Sequence, residues 1–376
     1  MTADIPLFRI SWGREEITNA IDSITRGSFW ANGPYIDEFE KRIEEFVGVS
    51  NAVVFNSGTT ALVSALRSHG IGDGDEVIVP SFTFISTVNA VRIVGAEPVF
   101  ADIERECYGL DPNSVSDCIT PDTAAIVPVH YAGRPCRIRT LVDIAETHDL
   151  VLIEDAAESF GATVNGEKVG SFGDSAMFSF CQNKVAATGE GGAVVTDDDD
   201  LAAELRLLRS HGRASSDYFE SQSSGEYRTL GNNFRLPDVV AAIGVAQLQR
   251  IDELIRGRRR VARRYRESLA TLDAVEPMGE PADGRHVYQL FTVTLEPSVQ
   301  RDALMGALDE QGVSSKIYFH PVHRSAYYRS THEKPVDHLD VTEEIASRVV
   351  SLPIHPELTD EEIDHVVSSM ETALTA

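Results

Sequence analysis

The sequence predicts an α/β fold with a mainly parallel central sheet. Short apolar segments at residues 98–101, 125–129 and 151–154 alternate with helical patterns such as residues 138–148. This alternation is typical of βαβ units, in which a helix connects two parallel strands. Two apolar segments, 52–55 and 151–154, end in small polar or acidic residues. Open α/β sheets bind ligands at the carboxyl ends of their strands, so we expect the functional site there.

The length of the chain predicts two domains. At 376 residues it exceeds the usual size of a single hydrophobic core, and a hydrophobic content of 42% is enough for two cores. We expect a large ligand-binding domain over residues 1–250 and a smaller C-terminal α/β domain over residues 251–376.

The charge balance excludes one class of function. Lys and Arg total 33 against 59 acidic residues, and a net charge of −26 argues against nucleic-acid binding. Such acidity suits a high-salt, halophilic cytoplasm, although a merely acidic mesophilic protein fits as well. No apolar stretch reaches membrane-spanning length, and residues 1–13 lack the features of a signal peptide. We expect a cytoplasmic protein whose four cysteines are reduced.

The remaining elements follow from periodicity. Residues 14–27 and 36–47 have the apolar spacing of amphipathic helices. A helical pattern runs from residue 237 to residue 269 and includes seven arginines between positions 256 and 266. We interpret these arginines as a solvated face balanced by nearby acids, with a nucleotide diphosphate grip as the alternative. The C-terminal part reads as strand 286–295, helix 298–311, strand 314–319 and helices near 342–350 and 359–374.

Lys184 lies in a glycine-containing turn between two predicted strands. The segment from Ser179 to Gly192 separates the apolar runs 176–180 and 193–196. A lysine that enters the interior of an α/β protein is a candidate Schiff-base nucleophile, because burial favours the neutral amine. On this segment alone, an ordinary surface lysine is an equally good interpretation.

Two further segments complete a constellation. Ser57, Gly58 and Thr59 follow a strand and precede a helix, the arrangement in which free N–H groups and the helix dipole hold a phosphate. Asp155 ends the strand 151–154, where its carboxylate could keep a pyridine nitrogen protonated. Alone, the Ser57 segment could be a plain N-cap, and for Asp155 alone an N-cap is the favoured interpretation. Together with Lys184 they predict a pyridoxal phosphate site.

Several motifs resemble the DegT/DnrJ/EryC1/StrS sugar aminotransferases. They are Asn56-Ser57-Gly58-Thr59, Pro80-Ser81-Phe82-Thr83-Phe84, His130 to Pro135, Glu154-Asp155-Ala156-Ala157, Ser179-Phe180 to Lys184, Gly189 to Gly192, Asn233-Phe234-Arg235 and Ser351-Leu352-Pro353. The resemblance spans nearly the whole chain. It implies the three-layer, aspartate aminotransferase-like fold of type I pyridoxal phosphate enzymes.

The resemblance also implies roles for individual residues. Lys184 and Asp155 would be catalytic. The residues that would bind the cofactor are Ser57, Gly58, Thr59, Phe84, Asp155, Glu158, Ser179, Lys184 and Asn233. Phe84 would stack on the cofactor ring, as a flat ring is well held by another ring. Asn233 would reach the cofactor phosphate of a neighbouring subunit, so that the active unit is a homodimer with its site at the interface.

The activity implied by the resemblance is ping-pong transamination from an amino acid, glutamate, to a nucleotide-linked keto-sugar. Two alternatives stay open. A deoxysugar dehydratase on the same fold carries histidine at the lysine position, and Lys184 argues against it. A non-catalytic regulator would not need Lys184, Asp155 and the phosphate cradle together.

Three other features have more than one interpretation. Glu158 stands where the family varies near the phenolic oxygen of the cofactor, and we expect it to be protonated or turned away. His130 ends a strand and either touches substrate or cofactor or lies behind the site as a hydrogen-bonded supporting residue. His320, His323, His332 and His338 are the candidate metal ligands, but their spacing lacks a metal motif, so no metal is predicted.

Overall fold

The structure is a computed structural model that describes residues 4–214, 225–332, 336 and 338–375. Its strands are β1 (Asn51–Phe55), β2 (Glu76–Pro80), β3 (Glu97–Ala101), β4 (Thr123–Ile126), β5 (Val151–Asp155), β6 (Thr163–Val164), β7 (Glu167–Lys168), β8 (Ser175–Ser179), β9 (Gly192–Thr196), β10 (Val275–Pro277), β11 (Gly284–Arg285), β12 (Phe291–Leu295) and β13 (Val349–Leu352). Its α-helices are α1 (Arg14–Thr25), α2 (Pro34–Val47), α3 (Gly58–Ser68), α4 (Ile85–Val94), α5 (Pro112–Cys118), α6 (Ile138–His148), α7 (Asp199–Arg209), α8 (Asp238–Gln249), α9 (Ile251–Leu269), α10 (Arg301–Glu310), α11 (Ala326–Thr331), α12 (Asp340–Arg348) and α13 (Asp360–Thr375).

The central sheet has seven strands in the order β1-β9-β8-β5-β4-β2-β3. The pairings among β8, β5, β4, β2 and β3 are parallel, whereas β9 runs antiparallel to both β1 and β8. The predicted α/β class with a mainly parallel sheet is therefore confirmed. The parallel strands end together at one edge, and β5 and β8 are neighbours there.

Helices cover both faces of this sheet and make three layers. Along β1, Val53 and Phe55 pack in one core with α3, whereas Ala52 and Val54 pack in the other with α2. Phe39 of α2 is fully buried in that second core. Burial of one such side chain contributes about 1.5–3 kcal/mol, so the two cores fix the sheet between its helices. A fixed sheet holds its carboxyl edge rigid.

The smaller α/β unit is built on the sheet β10-β12-β13 with α9, α10 and α13. The amino-terminal residues join it: Ile5 forms a parallel bridge with Val313, and the Ile354 N–H donates to the Leu7 carbonyl oxygen at 3.0 Å. Conversely, Val322 and Tyr328 come from the C-terminal part of the chain but pack in a core of the large sheet. The chain thus crosses between the two units more than once, and the division at residue 250 stays a proposal.

Three sequence-based boundaries differ from the structure. The helical pattern 237–269 is divided at Arg250 into α8 and α9. The first turns of α9 still pack in one core with α8, and the rest of α9 packs in the core of the smaller unit. The expected strand 286–295 is ordered as a strand only over β12. The expected strand 314–319 makes a single antiparallel bridge, between Lys316 and Ser351, next to the Ile5–Val313 bridge. A short pairing of this kind leaves no apolar alternation to detect.

Three of the seven arginines of α9 pair with acids, which agrees in part with the solvated, acid-balanced face interpreted from the sequence. Arg259 contacts Glu280, Arg260 contacts Asp360 and Arg264 contacts Asp364. Arg258 is bound differently. It is buried, which lowers its pKa to about 10, and it donates to the carbonyl oxygens of Tyr288, Gln289 and Ile354. Arg258 therefore holds α9 against the smaller unit.

Within the described part of the chain, the helices are too short or too polar to cross a lipid bilayer.

Candidate active site

Lys184 lies in the loop that joins β8 to β9, at the carboxyl end of β8. The loop is folded on itself by backbone bonds: Lys184 N–H donates to the Cys181 carbonyl oxygen at 2.9 Å, and Gln182 N–H donates to that of Gly189 at 2.9 Å. Gly189 has a φ of +91°, a left-handed conformation that favours glycine. The loop therefore presents the lysine in a fixed position.

Glu158 faces Lys184. Its Oε1 lies 3.5 Å from the lysine Nζ, and its Oε2 accepts a hydrogen bond from the Ala132 N–H at 2.8 Å. The side chains of Lys184 and Glu158 are 14% and 7% exposed, respectively. The amine therefore has one carboxylate neighbour in a site that is largely shielded from solvent.

Asp155 ends β5, the strand beside β8. Its Oδ2 accepts a hydrogen bond from the Thr87 hydroxyl at 2.7 Å, and its Oδ1 accepts one from the Ala157 N–H at 3.2 Å. Burial raises the pKa of Asp155, while the Thr87 and Ala157 bonds and the charge of Lys184 act to lower it. Asp155 is thus a buried carboxylate held by two donors. Thr87 was missed from the sequence, where its position one turn after Phe84 was the available signal.

His130 supports the site through a buried hydrogen bond to Glu154. Its Nε2 lies 2.9 Å from Glu154 Oε2, and the Cys136 N–H donates to its Nδ1 at 3.2 Å. Because Nδ1 accepts, Nε2 carries the proton and donates to the carboxylate. Glu154 accepts further bonds from the N–H groups of Gly170, Phe172 and Gly173. The pair fixes the strand end that carries Asp155.

The predicted phosphate cradle is the N-terminus of α3. Ser57 is the N-cap, and its Oγ accepts a bond from the Thr60 N–H at 3.1 Å. The N–H groups of Gly58 and Thr59 belong to the first turn, which has no intrahelical acceptors for them. A Cβ on Gly58 would lie 3.1 Å from the Cβ of Ser179, and one on Gly192 would lie 2.5 Å from the Ser57 carbonyl oxygen. The two glycines bring β8, β9 and α3 into close contact at the cradle.

Phe84 and Asn233 are both exposed. The Phe84 side chain precedes α4 and is 58% exposed, with its ring centroid 6.0 Å from that of Phe319. Asn233 lies beside the cradle, because the Phe234 carbonyl oxygen accepts a bond from the Asn56 N–H at 2.8 Å. Both residues are placed where a ligand or a second chain can reach them.

Two of the four histidines considered as metal ligands have other partners. His323 Nδ1 lies 2.7 Å from Ser81 Oγ, and its Nε2 lies 2.8 Å from Glu343 Oε1. His332 Nδ1 lies 3.0 Å from Glu97. Among the residues that the structure describes, no three His, Cys, Asp or Glu side chains are grouped to hold a metal ion.

Comparison with known proteins decides the family. The sequence profile of the DegT/DnrJ/EryC1/StrS aminotransferase family matches residues 12–371. The chain belongs to this family. As a member it is a pyridoxal phosphate-dependent aminotransferase, which confirms the resemblance read from the motifs.

Characterised members of the DegT/DnrJ/EryC1/StrS family resemble the chain over nearly its full length. The GDP-perosamine synthase of Caulobacter vibrioides is 41% identical over 345 residues, which cover 91% of each chain. The spore coat polysaccharide biosynthesis protein SpsC of Bacillus subtilis is 35% identical over 366 residues, 95% of this chain and 94% of SpsC.

Solved structures of family members have the same fold. DesV of S. venezuelae, in complex with a ketimine intermediate, superimposes with a TM-score of 0.90 at 35% identity over 99% of both chains. PseC of Helicobacter pylori, an aminotransferase of pseudoaminic acid biosynthesis, has a TM-score of 0.92 at 26% identity, again over 99% of both chains. The type I fold predicted from the motifs is confirmed.

Proposed function

We propose that this aminotransferase transfers an amino group from an amino acid, glutamate, to a nucleotide-linked keto-sugar. The observation that carries the proposal is the convergence of three groups at one edge of the sheet. Asp155 ends β5, Lys184 follows the adjacent β8, and the cradle Ser57–Thr59 lies against the end of β8 through the Gly58–Ser179 contact. The named relatives act in sugar pathways, which supports a sugar as the acceptor.

The residues present fit pyridoxal phosphate. The N–H groups at the start of α3 would hold its phosphate, together with Ser57 and Ser179, because they are unpaired donors at the positive end of the helix dipole. Asp155 would pair with the ring nitrogen, since a buried carboxylate gains most from a cationic partner. Phe84 would cover one face of the ring.

When bound, pyridoxal phosphate supplies an electron sink for the carbanion formed at the donor's α-carbon. Lys184 would hold the cofactor covalently and, once displaced by the donor, would move a proton to and from that α-carbon as a general base and acid. Asp155 would favour this step by keeping the ring nitrogen protonated. Glu158, opposite the lysine, would accept a hydrogen bond from the Lys184 amine and so stabilise its protonated form after the transfer.

A second copy of the chain would complete the site. Large apolar side chains are exposed over residues 10–30, a surface we call the α1 patch: Ile10, Trp12, Ile17, Ile21, Ile24, Phe29 and Trp30, with exposures from 41% to 65%. Exposed apolar surfaces of this size mark interaction sites. The patch adjoins the cradle side of the molecule, because Asp238, four residues after Phe234, accepts a bond from the Tyr35 N–H and donates its own N–H to the Trp30 carbonyl oxygen. A homodimer through this patch would bring Asn233 to the partner's phosphate.

The cytoplasmic location expected from the sequence stays a prediction.

Visible absorption of the purified protein with pyridoxal phosphate tests the proposal. We expect a band of covalently held cofactor that bleaches on addition of glutamate, and no such band in Lys184→Ala. Lys168→Ala is the matched control, since Lys168 is also partly buried but donates to the Phe46 carbonyl oxygen away from the site. A band that no amino acid bleaches would overturn the proposal. A panel of nucleotide-linked keto-sugars, read by mass, then identifies the acceptor.

A further inference from the structure

Two buried threonines connect to the carboxylate of Asp155. Thr87 Oγ1 lies 2.7 Å from Asp155 Oδ2, and Thr83 Oγ1 lies 2.9 Å from Thr87 Oγ1. Thr87 is 1% exposed and Thr83 is 2% exposed. The three side chains form a chain of hydrogen bonds that is closed off from solvent.

The direction of these bonds follows from counting protons. An ionised carboxylate only accepts, so the single hydroxyl proton of Thr87 points to Asp155. The Thr87 oxygen can then only accept from Thr83, so the proton of Thr83 points to Thr87. Both hydroxyl dipoles are therefore aligned toward the carboxylate, and each bond polarises the next. This alignment stabilises negative charge on Asp155.

The first turn of α4 sets the position of Thr87. Its N–H donates to the Phe84 carbonyl oxygen at 3.1 Å, and Phe84 is the N-cap of the helix. One helical turn thus carries both the ring proposed to cover the cofactor and the hydroxyl that holds Asp155. Displacement of this turn would alter the two contacts together.

We infer that Thr87 is a positioning residue for transamination, which holds Asp155 ionised and oriented toward the cofactor's ring nitrogen, and that Thr83 aligns Thr87. This inference rests on the proposed function for the role of Asp155. A carboxylate that lost its Thr87 donor would be free to rotate about its side-chain bond and would be less well stabilised as an anion in a buried site.

Thr87→Val removes the hydroxyl and keeps the shape, and Thr87→Ser keeps the hydroxyl. With the cofactor bound, we expect Thr87→Val to lower kcat by about ten- to hundredfold, the range for a bond to a charged group, with KM for the sugar nearly unchanged. Thr87→Ser should stay within a fewfold of the unmutated enzyme, and Thr83→Val should fall between the two.

The decisive readout uses the cofactor-free protein. If Thr87 stabilises the ionised form of Asp155, the Tm deficit of Thr87→Val should be smallest at acid pH, where Asp155 is protonated, and should grow as pH rises and Asp155 ionises. In the background Asp155→Asn this pH dependence should disappear. A purely structural role for the hydroxyl would give the same deficit at every pH and in both backgrounds, and that result would overturn the inference.

The two proposals fail in different ways. A pH-dependent deficit in a protein that never forms the cofactor band would leave the Thr87–Asp155 coupling intact and sink the proposed function. Transamination by the unmutated protein, together with a Tm deficit of Thr87→Val that does not depend on pH, would support the proposed function and overturn the Thr87–Asp155 inference. If Thr87→Val does not fold, Thr83→Val carries the same test, because loss of its aligned proton should give a smaller deficit with the same pH dependence.

Discussion

Among the glycines of the cofactor site, Gly192 should be the one at which a substitution is least tolerated. It pairs with Phe55 on β1 and with Ser179 on β8, and it faces the N-terminus of α3. A Cβ at this position would lie 2.5 Å from the Ser57 carbonyl oxygen and 2.6 Å from the Gly58 nitrogen, about 0.9 and 0.8 Å short of ordinary contact at 3.4 Å. Both neighbours are backbone atoms, so the strand and the helix must separate.

The magnitude of the effect follows from that separation. Overpacking of this kind costs about 1–3 kcal/mol of the free energy of unfolding. A displacement approaching 0.9 Å also carries the N–H groups of the cradle out of hydrogen-bond distance of a phosphate. Loss of one bond to a charged group costs about 1.5–3 kcal/mol, which weakens cofactor binding by roughly ten- to hundredfold.

The assay compares Gly192→Ala with a matched control. Gly306→Ala makes the same change inside α10, at a position where a Cβ would meet nothing within 4 Å. Helix propensity predicts that the control gains stability, by about 1 kcal/mol at most. The Kd for pyridoxal phosphate and the Tm of the cofactor-free protein measure the two effects. Unchanged cofactor affinity in Gly192→Ala would refute the placement of the phosphate at this cradle.

Three other predictions concern charge and assembly. Burial raises the pKa of Asp155 above its usual 3.8, so ionisation of Asp155 destabilises the folded state as pH rises above that value. We therefore expect Asp155→Asn to raise the Tm of the cofactor-free protein at neutral pH while abolishing most transamination. An unchanged Tm would contradict the cost of burying this carboxylate. Burial lowers the pKa of His355 from 6.5 to about 4, so this residue contributes stability above pH 6.5 that is lost as pH falls toward 4, and His355→Gln should flatten the acid limb of a Tm-against-pH curve. If the protein forms the proposed homodimer through the α1 patch, Ile21→Lys should give a monomer in light scattering at fixed protein concentration, whereas Ile93→Lys, similarly exposed but outside the patch, should not. A dimer that survives Ile21→Lys would place the interface elsewhere.

Sequence patterns found the parts of the site that depend on short segments. Ser57 to Thr59 stand between a strand and a helix, and Asp155 ends an apolar run, so local order alone locates them at the carboxyl edge. The Thr87–Asp155 bond could not be predicted in this way, because the two residues are 68 positions apart and no local sequence pattern links their segments.

Periodicity also did not determine which helix faces are buried within the chain. The spacing of Ile17, Ile21 and Ile24 predicts an apolar face on α1, and the helix is present, but these side chains point outward. Spacing identifies a face without saying what covers it. The break at Arg250 was hidden for a related reason, because Leu248 before it and Ile251 and Leu254 after it pack in the same core and the apolar spacing continues across it.

The bridge between Ile5 and Val313 has a consequence for how the chain folds during synthesis. Val313 is synthesised about three hundred residues after its partner Ile5. At roughly 5–20 residues per second, the segment around Ile5 waits many seconds for its place in the core of the smaller unit. The large sheet can form in that interval, whereas the smaller unit cannot be completed until Val313 is present. Loss of the Ile5–Val313 bridge should therefore slow the last folding step while leaving the cofactor cradle intact.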